Sequence, residues 1–185
     1  MEVPMQQINE KLIEKPISSE RIYEGAIVNI RRDTVTLPNG KSATREVVEH
    51  PGAVAVVPVT DDGKVILVRQ FRHPIGQLLL EIPAGKLDKG EHPDDCARRE
   101  LEEETGFVAS QLRRIASIFT TPGFTNEIIH IYLATGLTAT AQHPDEDEFL
   151  AVEYYDRDQI KELLAAGELQ DSKTALGLLL TESLR

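Results

Sequence analysis

The sequence predicts an α/β fold in which a mixed sheet is held between helices. Short apolar runs, typical of buried strands, alternate with segments of helical periodicity, and the valine-rich run at residues 53–59 is the clearest of them. The chain has 185 residues, enough for one domain with a sizeable core, and 41% of them are hydrophobic. A folded globular protein is therefore expected rather than a disordered chain.

Residues 1–50 predict an N-terminal antiparallel β-ribbon that precedes the main domain. Residues 1–20 give no firm element, but residues 26–37 and 42–49 predict two strands. The turn between them is Pro38-Asn39-Gly40, whose Asn-Gly pair allows positive φ. This pattern is typical of a hairpin.

The main domain is expected at residues 51–185, beginning where Pro51 and Gly52 break the ribbon. Apolar runs predict strands at residues 53–59, 64–71, 78–82, 112–119, 128–133 and 149–155. Helical periodicity predicts helices at about residues 92–105, 157–166 and 172–183. A loop at residues 138–148 carries four consecutive acids, Asp145-Glu146-Asp147-Glu148. Three strands, a helix, three more strands and two helices thus follow one another, which predicts a mixed sheet held between helices.

The helix at about residues 92–105 has an unfavourable distribution of charge, and Gly106 suits its C-terminal cap. At about 100° per residue, Glu100, Glu103 and Glu104 fall on one face. Carboxylates at this spacing repel one another, and the C-terminal end of a helix favours cations. One interpretation is a solvated acidic face. The other is a site for a divalent cation such as Mg²⁺, which binds carboxylate oxygens and would offset the repulsion.

The stretch at residues 85–107 resembles the Nudix box, G-x5-E-x7-R-E-U-x-E-E-x-G-U, in which U is a bulky apolar residue. The matching positions are Gly85, Glu91, Arg99, Glu100, Leu101, Glu103, Glu104, Gly106 and Phe107. The resemblance implies a Nudix α/β/α sandwich preceded by the ribbon. It also implies hydrolysis of a nucleoside diphosphate linked to another group, with Mg²⁺ or Mn²⁺ as the cofactor.

The segment at residues 121–127 points to a subfamily. Pro122 lies 16 positions beyond Gly106, a spacing that resembles the marker proline of ADP-ribose pyrophosphatases. The resemblance implies that ADP-ribose is hydrolysed to AMP and ribose 5-phosphate by a homodimer in which the ribbon mediates dimerisation. Two alternatives stay open: hydrolysis of other nucleoside diphosphate sugars such as ADP-glucose or GDP-mannose, and a non-catalytic Nudix-like sensor.

The resemblance further implies a metal site and a phosphate site. The metal ligands would be the side chains of Glu100, Glu103 and Glu104 and the main-chain carbonyl of Ala84. Arg72 would contact the substrate phosphates, because the equivalent arginine of ADP-ribose pyrophosphatases also follows Gln-Phe.

Three further residues are candidates for binding the substrate. Arg45 in the ribbon is a second candidate for the phosphates, and Glu127 is able to meet ribose hydroxyls. Glu81 has two open interpretations, since it either faces the site or is a buried structural partner.

A catalytic base is expected outside the box, because carboxylates bound to metal are poorly placed to accept a proton. In related ADP-ribose pyrophosphatases, a glutamate from the loop that corresponds to residues 142–148 does this work. Glu146 matches best by position, and Glu148 is the alternative. If neither acts, the base lies in the box, where Glu103 is also counted as catalytic, and the loop is only a lid.

Composition limits the partners and the compartment. The net charge of −11 argues against binding to a nucleic-acid backbone or an anionic membrane surface. No apolar run approaches the roughly 18 residues that span a bilayer, and the N-terminus lacks the pattern of a signal peptide. Cys96 is the only cysteine, which suits a reducing compartment. We therefore expect a cytoplasmic enzyme whose partner is a nucleoside diphosphate sugar.

Overall fold

The computed structural model describes residues 12–146 and 148–183. The chain divides into two compact units. One comprises the residues up to 50 together with residues 121–127, and the other comprises residues 51–120 with the chain from 128 onward. The first eleven residues of the predicted ribbon lie outside the described residues.

The N-terminal unit contains a three-stranded antiparallel sheet with strands β1 (Lys15–Glu24), β2 (Asn29–Thr36) and β3 (Ser42–Glu49) in that order. The predicted hairpin is confirmed, because β2 and β3 pair in register around a turn in which Gly40 has φ of 82°. The sequence did not predict β1. All ten of its residues are exposed, so the strand has no buried face to produce an alternating pattern.

The main unit contains seven strands and three helices among its described residues. In chain order these are β4 (Ala53–Pro58), β5 (Val65–Arg72), β6 (Gln77–Glu81), β7 (Ala84–Lys86), α1 (Pro93–Thr105), β8 (Phe107–Phe119), β9 (Ile128–Ala139), β10 (Leu150–Tyr155), α2 (Arg157–Ala166) and α3 (Ser172–Ser183). One sheet has the order β7-β4-β9-β8, with β4 and β9 parallel, and the other has the order β10-β5-β6. The predicted mixed sheet is confirmed.

Two strands are longer than the sequence predicts. β8 begins at residue 107 rather than 112, and β9 continues to residue 139 rather than 133. The two strands pair antiparallel from Phe107↔Ala139 to Phe119↔Ile128, so the ladder extends beyond the apolar residues that signal a strand. The predicted acidic loop therefore starts after residue 139 instead of at 138.

The two faces of β4 pack against different helices. Val54 and Val56 pack with Cys96 and Leu101 of α1 on one side. The residues between them point to the opposite face, where β4 shares a core with Leu178 of α3. A strand covered on both faces explains the uninterrupted apolar run, and the resulting α/β/α layering is the predicted fold. No helix of the described residues is long and apolar enough to cross a membrane.

Candidate active site

The acidic helix α1 begins and ends at clear capping signals. His92 is its N-cap, and the Nδ1 atom of that residue accepts a hydrogen bond from the amide of Asp94 at 3.3 Å. Gly106 ends the helix with φ of 70° and donates its amide to the carbonyl of Glu102 at 2.8 Å. These caps fix the rotation of the helix, and the apolar side of α1 against β4 then decides which glutamates are buried.

Two of the three glutamates among the predicted metal ligands are buried. Glu100 is 7% exposed and Glu104 is 2% exposed, whereas Glu103 is partly exposed. Burial raises the pKa of Glu100 to about 7 and that of Glu104 to about 8. The charge of Glu100, one helical turn away, raises the pKa of Glu104 further. Holding both groups ionised therefore requires a compensating positive charge.

Arg99 supplies part of that charge and holds three glutamates together. Its Nε and Nη2 atoms each lie 3.0 Å from an oxygen of Glu91. Its Nη1 atom donates to Glu100 at 2.7 Å and to Glu103 at 2.8 Å. The hydrogen bonds from Arg99 lower the pKa of Glu91 to about 2. The bidentate geometry is what the planar guanidinium favours.

The segment before the helix passes directly against these carboxylates. A Cβ atom at Gly85 would lie 1.8 Å from the Oε1 atom of Glu100, so a larger residue here would displace this carboxylate. The amide of Ala84 donates to the Oε2 atom of Glu104 at 3.2 Å. The structure therefore brings Ala84 together with the box glutamates, as the predicted ligand set requires.

Arg72 and Glu81 form a bidentate ion pair at the ends of β5 and β6. The Nε and Nη2 atoms of Arg72 lie 2.8 Å and 2.9 Å from the two oxygens of Glu81. Glu81 is 1% exposed and also accepts a hydrogen bond from Lys173 of α3. Burial opposes its ionisation, but Arg72 and Lys173 outweigh burial and lower the pKa of Glu81. The charge of Glu104 is among the causes that raise the pKa of Arg72, which places this pair beside the box.

Sequence reasoning missed Lys173. It lies 92 positions from Glu81, and a lysine in the first turn of an amphipathic helix gives no signal of a buried partner. Asp171, the residue before the helix, was the one local indication that Lys173 is paired, because an acid at a helix N-terminus is able to pair with a nearby lysine.

The acidic loop is attached to the C-terminal end of α1. The amide of Thr140 donates to the carbonyl of Gly106 at 2.8 Å, and the Nε2 atom of Gln142 donates to the carbonyl of Glu104 at 2.7 Å. These bonds satisfy carbonyl groups that a helix end leaves free. They also fix the start of the loop relative to α1.

The loop glutamates differ in how they act on the box. The charge of Glu148 contributes to the raised pKa of both Glu100 and Glu104, so this side chain lies within electrostatic reach of them. Glu146 and Glu148 are both exposed on this loop, and Glu146 is not among the causes of these two raised pKa values. The main unit therefore brings together Arg72, Glu81, Ala84, Glu148 and the box glutamates.

Arg45 and Glu127 belong to the N-terminal unit. Arg45 pairs with Glu14, whose Oε2 atom is 3.0 Å from its Nε atom. Glu127 lies in the segment 121–127, which joins β3 through a hydrogen bond from the amide of Val48 to the carbonyl of Phe124 at 2.8 Å. The Oε1 atom of Glu127 is 3.4 Å from the Nε2 atom of His50.

The donor chemistry of the main site fits a hard divalent cation. Within the described residues, no three acidic, histidine or cysteine side chains are already grouped as in a metal site, and Arg99 bridges Glu100 and Glu103 instead. Carboxylate oxygens are nevertheless the ligands that Mg²⁺ prefers. A cation there would also favour the ionised form of the two buried acids.

Comparisons with known proteins find relatives of both units. The profile of the NUDIX domain matches residues 49–175, and that of the nucleoside diphosphate sugar hydrolase N-terminal domain matches residues 14–48. An ADP-ribose pyrophosphatase of Bacillus subtilis (strain 168) is 47% identical over 169 residues, covering 90% of this chain and 91% of that protein. A methanol dehydrogenase activator of Bacillus methanolicus is 44% identical over 167 residues, covering 89% and 90%.

A solved structure shares the fold. The crystal structure of an ADP compounds hydrolase matches with a TM-score of 0.81 and covers 92% of this chain and 94% of that chain. The two sequences are 24% identical, so this likeness concerns the fold alone.

Replacing Arg99 by methionine should lower the stability of the metal-free protein. The change removes the donor shared by Glu91, Glu100 and Glu103, and a partly buried polar group left unpaired costs about 1–3 kcal/mol. We expect a lower Tm in EDTA for Arg99→Met. We also expect a larger rise in Tm on addition of Mg²⁺ than in the wild type, because the cation then replaces the missing charge.

Thermal unfolding of Arg98→Met provides the matched control. Arg98 is exposed and donates to the carbonyl of Ala109 at 3.2 Å, outside the glutamate cluster. Its Tm should equal that of the wild type in both buffers. If Arg99→Met unfolds at the wild-type temperature in EDTA, Arg99 does not offset the repulsion of the box glutamates.

Proposed function

Because the chain belongs to the NUDIX family, we propose that it hydrolyses the pyrophosphate of ADP-ribose to AMP and ribose 5-phosphate. The observation that carries the proposal is the nearly full-length similarity to an ADP-ribose pyrophosphatase. The N-terminal family match supports the same class, since it is named for nucleoside diphosphate sugar hydrolases. The chain is a pyrophosphatase enzyme, and its intact box argues against the alternative of a sensor that only binds.

The box glutamates are the proposed site of a divalent cation. Glu100, Glu103 and Glu104 would hold it with the carbonyl of Ala84, and Mg²⁺ is the proposed ion, with Mn²⁺ as a substitute. When bound, such an ion stabilises negative charge on the phosphates and lowers the pKa of the attacking water. Arg99, which donates to Glu100 and Glu103, would orient these carboxylates for the ion.

Cationic and polar groups hold the substrate in this proposal. Arg72 would donate to the phosphates, supported by its partial exposure and by the bidentate pair that fixes its guanidinium. Arg45 and Glu127 remain proposed contacts to the phosphates and the ribose. Glu81 supports Arg72, which favours its interpretation as a structural partner.

The proposed base is a loop glutamate that accepts a proton from the attacking water. Glu148 is supported by its electrostatic effect on Glu100 and Glu104. Glu146 stays the other candidate, since a loop attached at its start is able to move its tip when substrate binds.

The remaining expectations concern the setting of the enzyme. We propose a homodimer, a cytoplasmic location and no nucleic-acid partner. The dimer is supported by β1, which exposes Ile17, Ile22 and Tyr23. A small sheet with apolar residues exposed in this way gains stability when a further surface covers it. The free, buried thiol of Cys96 is compatible with a reducing compartment.

A panel of nucleotide sugars tests the substrate. ADP-ribose, ADP-glucose and GDP-mannose are incubated with the enzyme and Mg²⁺, and the released phosphomonoester is measured. We expect ADP-ribose to give the highest kcat/KM. Glu104→Gln should lower kcat at least about 100-fold, the order of loss for a group that stabilises charge in the transition state.

The fold of Glu104→Gln should be intact, because the change removes a charge that repels Glu100. Circular dichroism checks this point. Preferred turnover of GDP-mannose would move the enzyme to the alternative substrate class, and full activity of Glu104→Gln would exclude the proposed metal site.

A pair of loop variants tests the base. Glu148→Gln should lower kcat sharply with little change in KM or in metal affinity, the pattern of an interaction made mainly in the transition state. Glu146→Gln is the matched control two positions away and should keep most of kcat. The reverse result assigns the base to Glu146, and two active variants place it in the box.

Sedimentation equilibrium tests the dimer. We expect twice the mass of one chain for the wild type and a shift toward the monomer for Ile17→Lys. Ile17 is 60% exposed, so a lysine there should not disturb the fold of one chain. A monomeric wild-type protein at micromolar concentration contradicts the proposal.

A further inference from the structure

Four charged side chains meet where β5 and β6 approach the start of α3. We call Arg72, Glu81, Asp171 and Lys173 the Arg72–Lys173 cluster. Glu81 accepts hydrogen bonds from both Arg72 and Lys173. The Nζ atom of Lys173 also lies 3.0 Å from the Oδ2 atom of Asp171. The cluster thus holds two positive and two negative charges.

The lysine of this cluster is buried at some cost. Lys173 is 8% exposed, and a buried ammonium group is unfavourable unless it is paired. Even a paired buried ion often contributes no more stability than an apolar side chain of similar volume. The stability of α3 therefore gives only weak grounds for an ion pair at this position. A role in the charge of the neighbouring site explains the lysine better than stability does.

Arg72 is the member of the cluster that reaches solvent. Its side chain is 42% exposed, against 1% for Glu81 and 11% for Lys173. Among the described residues, its hydrogen bonds to Glu81 use Nε and Nη2, and the Nη1 atom is not part of that pair. Its charge also interacts with Glu104 of the box. Arg72 therefore presents the charge of the cluster to the proposed active site.

We propose that Lys173 is a positioning residue for substrate binding, which shares the negative charge of Glu81 so that the positive charge of Arg72 is not fully offset and can attract the pyrophosphate. With Lys173 present, Glu81 is shared between two cations. Without it, Arg72 alone neutralises Glu81, and the cluster with Asp171 has a net charge of −1. An anionic pyrophosphate is then attracted less strongly. This inference rests on the proposed function.

Steady-state kinetics of Lys173→Met with ADP-ribose test the inference. Methionine keeps the unbranched apolar stem and removes the charge. We expect KM to rise about tenfold with little change in kcat, because a group that aids binding equally in the ground and transition states affects KM alone. Lys173→Arg restores the charge and should return KM toward the wild-type value.

Two variants of α3 separate this role from simple docking of the helix. Asp171→Asn changes the cluster charge in the opposite direction, and asparagine still caps a helix, so KM should fall rather than rise. Leu178→Ala creates a cavity in the core on the same helix, so Tm should fall while KM stays unchanged. If Lys173→Met lowers Tm and leaves KM unchanged, the lysine is only structural and the inference is wrong.

A double-mutant cycle with Arg72→Gln shows whether Lys173 acts through Arg72. In that case, Lys173→Met adds little to the KM of Arg72→Gln, because the group that it positions is already gone. If Lys173→Met raises KM by the same factor with and without Arg72→Gln, the inference is wrong. Should Lys173→Met fail to fold, Lys173→Gln makes the same charge change with a polar side chain, and the same outcomes decide.

The wild-type kinetics separate the two proposals. If the wild type does not hydrolyse ADP-ribose, the proposed function fails whatever the variants do. If the wild type hydrolyses ADP-ribose and neither Lys173→Met nor Lys173→Gln raises KM, the inference about Lys173 fails while the function stands.

Discussion

The burial of two carboxylates on one face of α1 is the constraint on which the rest of the site depends. Glu100 and Glu104 are nearly inaccessible, and burial raises the pKa of both toward neutrality. A helix that packs its apolar side on β4 gains enough from that packing to bury these groups. Residues around the two carboxylates then offset their charge or leave room for their oxygens. Arg99 lies among the glutamates, and the glycine at 85 gives their oxygens room.

The same constraint explains why this helix could be predicted from the sequence. Caps, spacing and acid placement are local features, and each is present within a few residues of α1. The period of the helix places Glu100, Glu103 and Glu104 on one face, whereas the burial of Glu100 and Glu104 depends on packing that only the structure shows. The Arg99 contacts lie within eight positions and follow from that period and the preceding turn.

Features that depend on distant residues could not be predicted in the same way. The ion pair between Glu81 and Lys173 joins residues 92 positions apart, and no local sequence pattern predicts it. β1 has no buried face, and it is held by backbone pairing with β2 and by an ion pair from Arg21 to Glu49 of β3. The extension of β8 and β9 likewise comes from a ladder of backbone hydrogen bonds, which exposed polar residues join as readily as apolar ones. Loop glutamates 146 and 148 have the same chemistry, so only their placement distinguishes them.

The two ends of the proposed site differ in net charge. Around Arg99, one cation is shared by three glutamates, which leaves an excess of two negative charges. Around Glu81, the two cations and two anions of the Arg72–Lys173 cluster balance, and Arg72 is the exposed member. A metal ion is therefore favoured at the Arg99 end and an anionic phosphate at the Arg72 end. Glu104 lies between them, since it shares a helix face with Glu100 and its charge interacts with Arg72. In a chain with a net charge of −11, the exposed guanidinium of Arg72 is the proposed point of attraction for an anionic substrate.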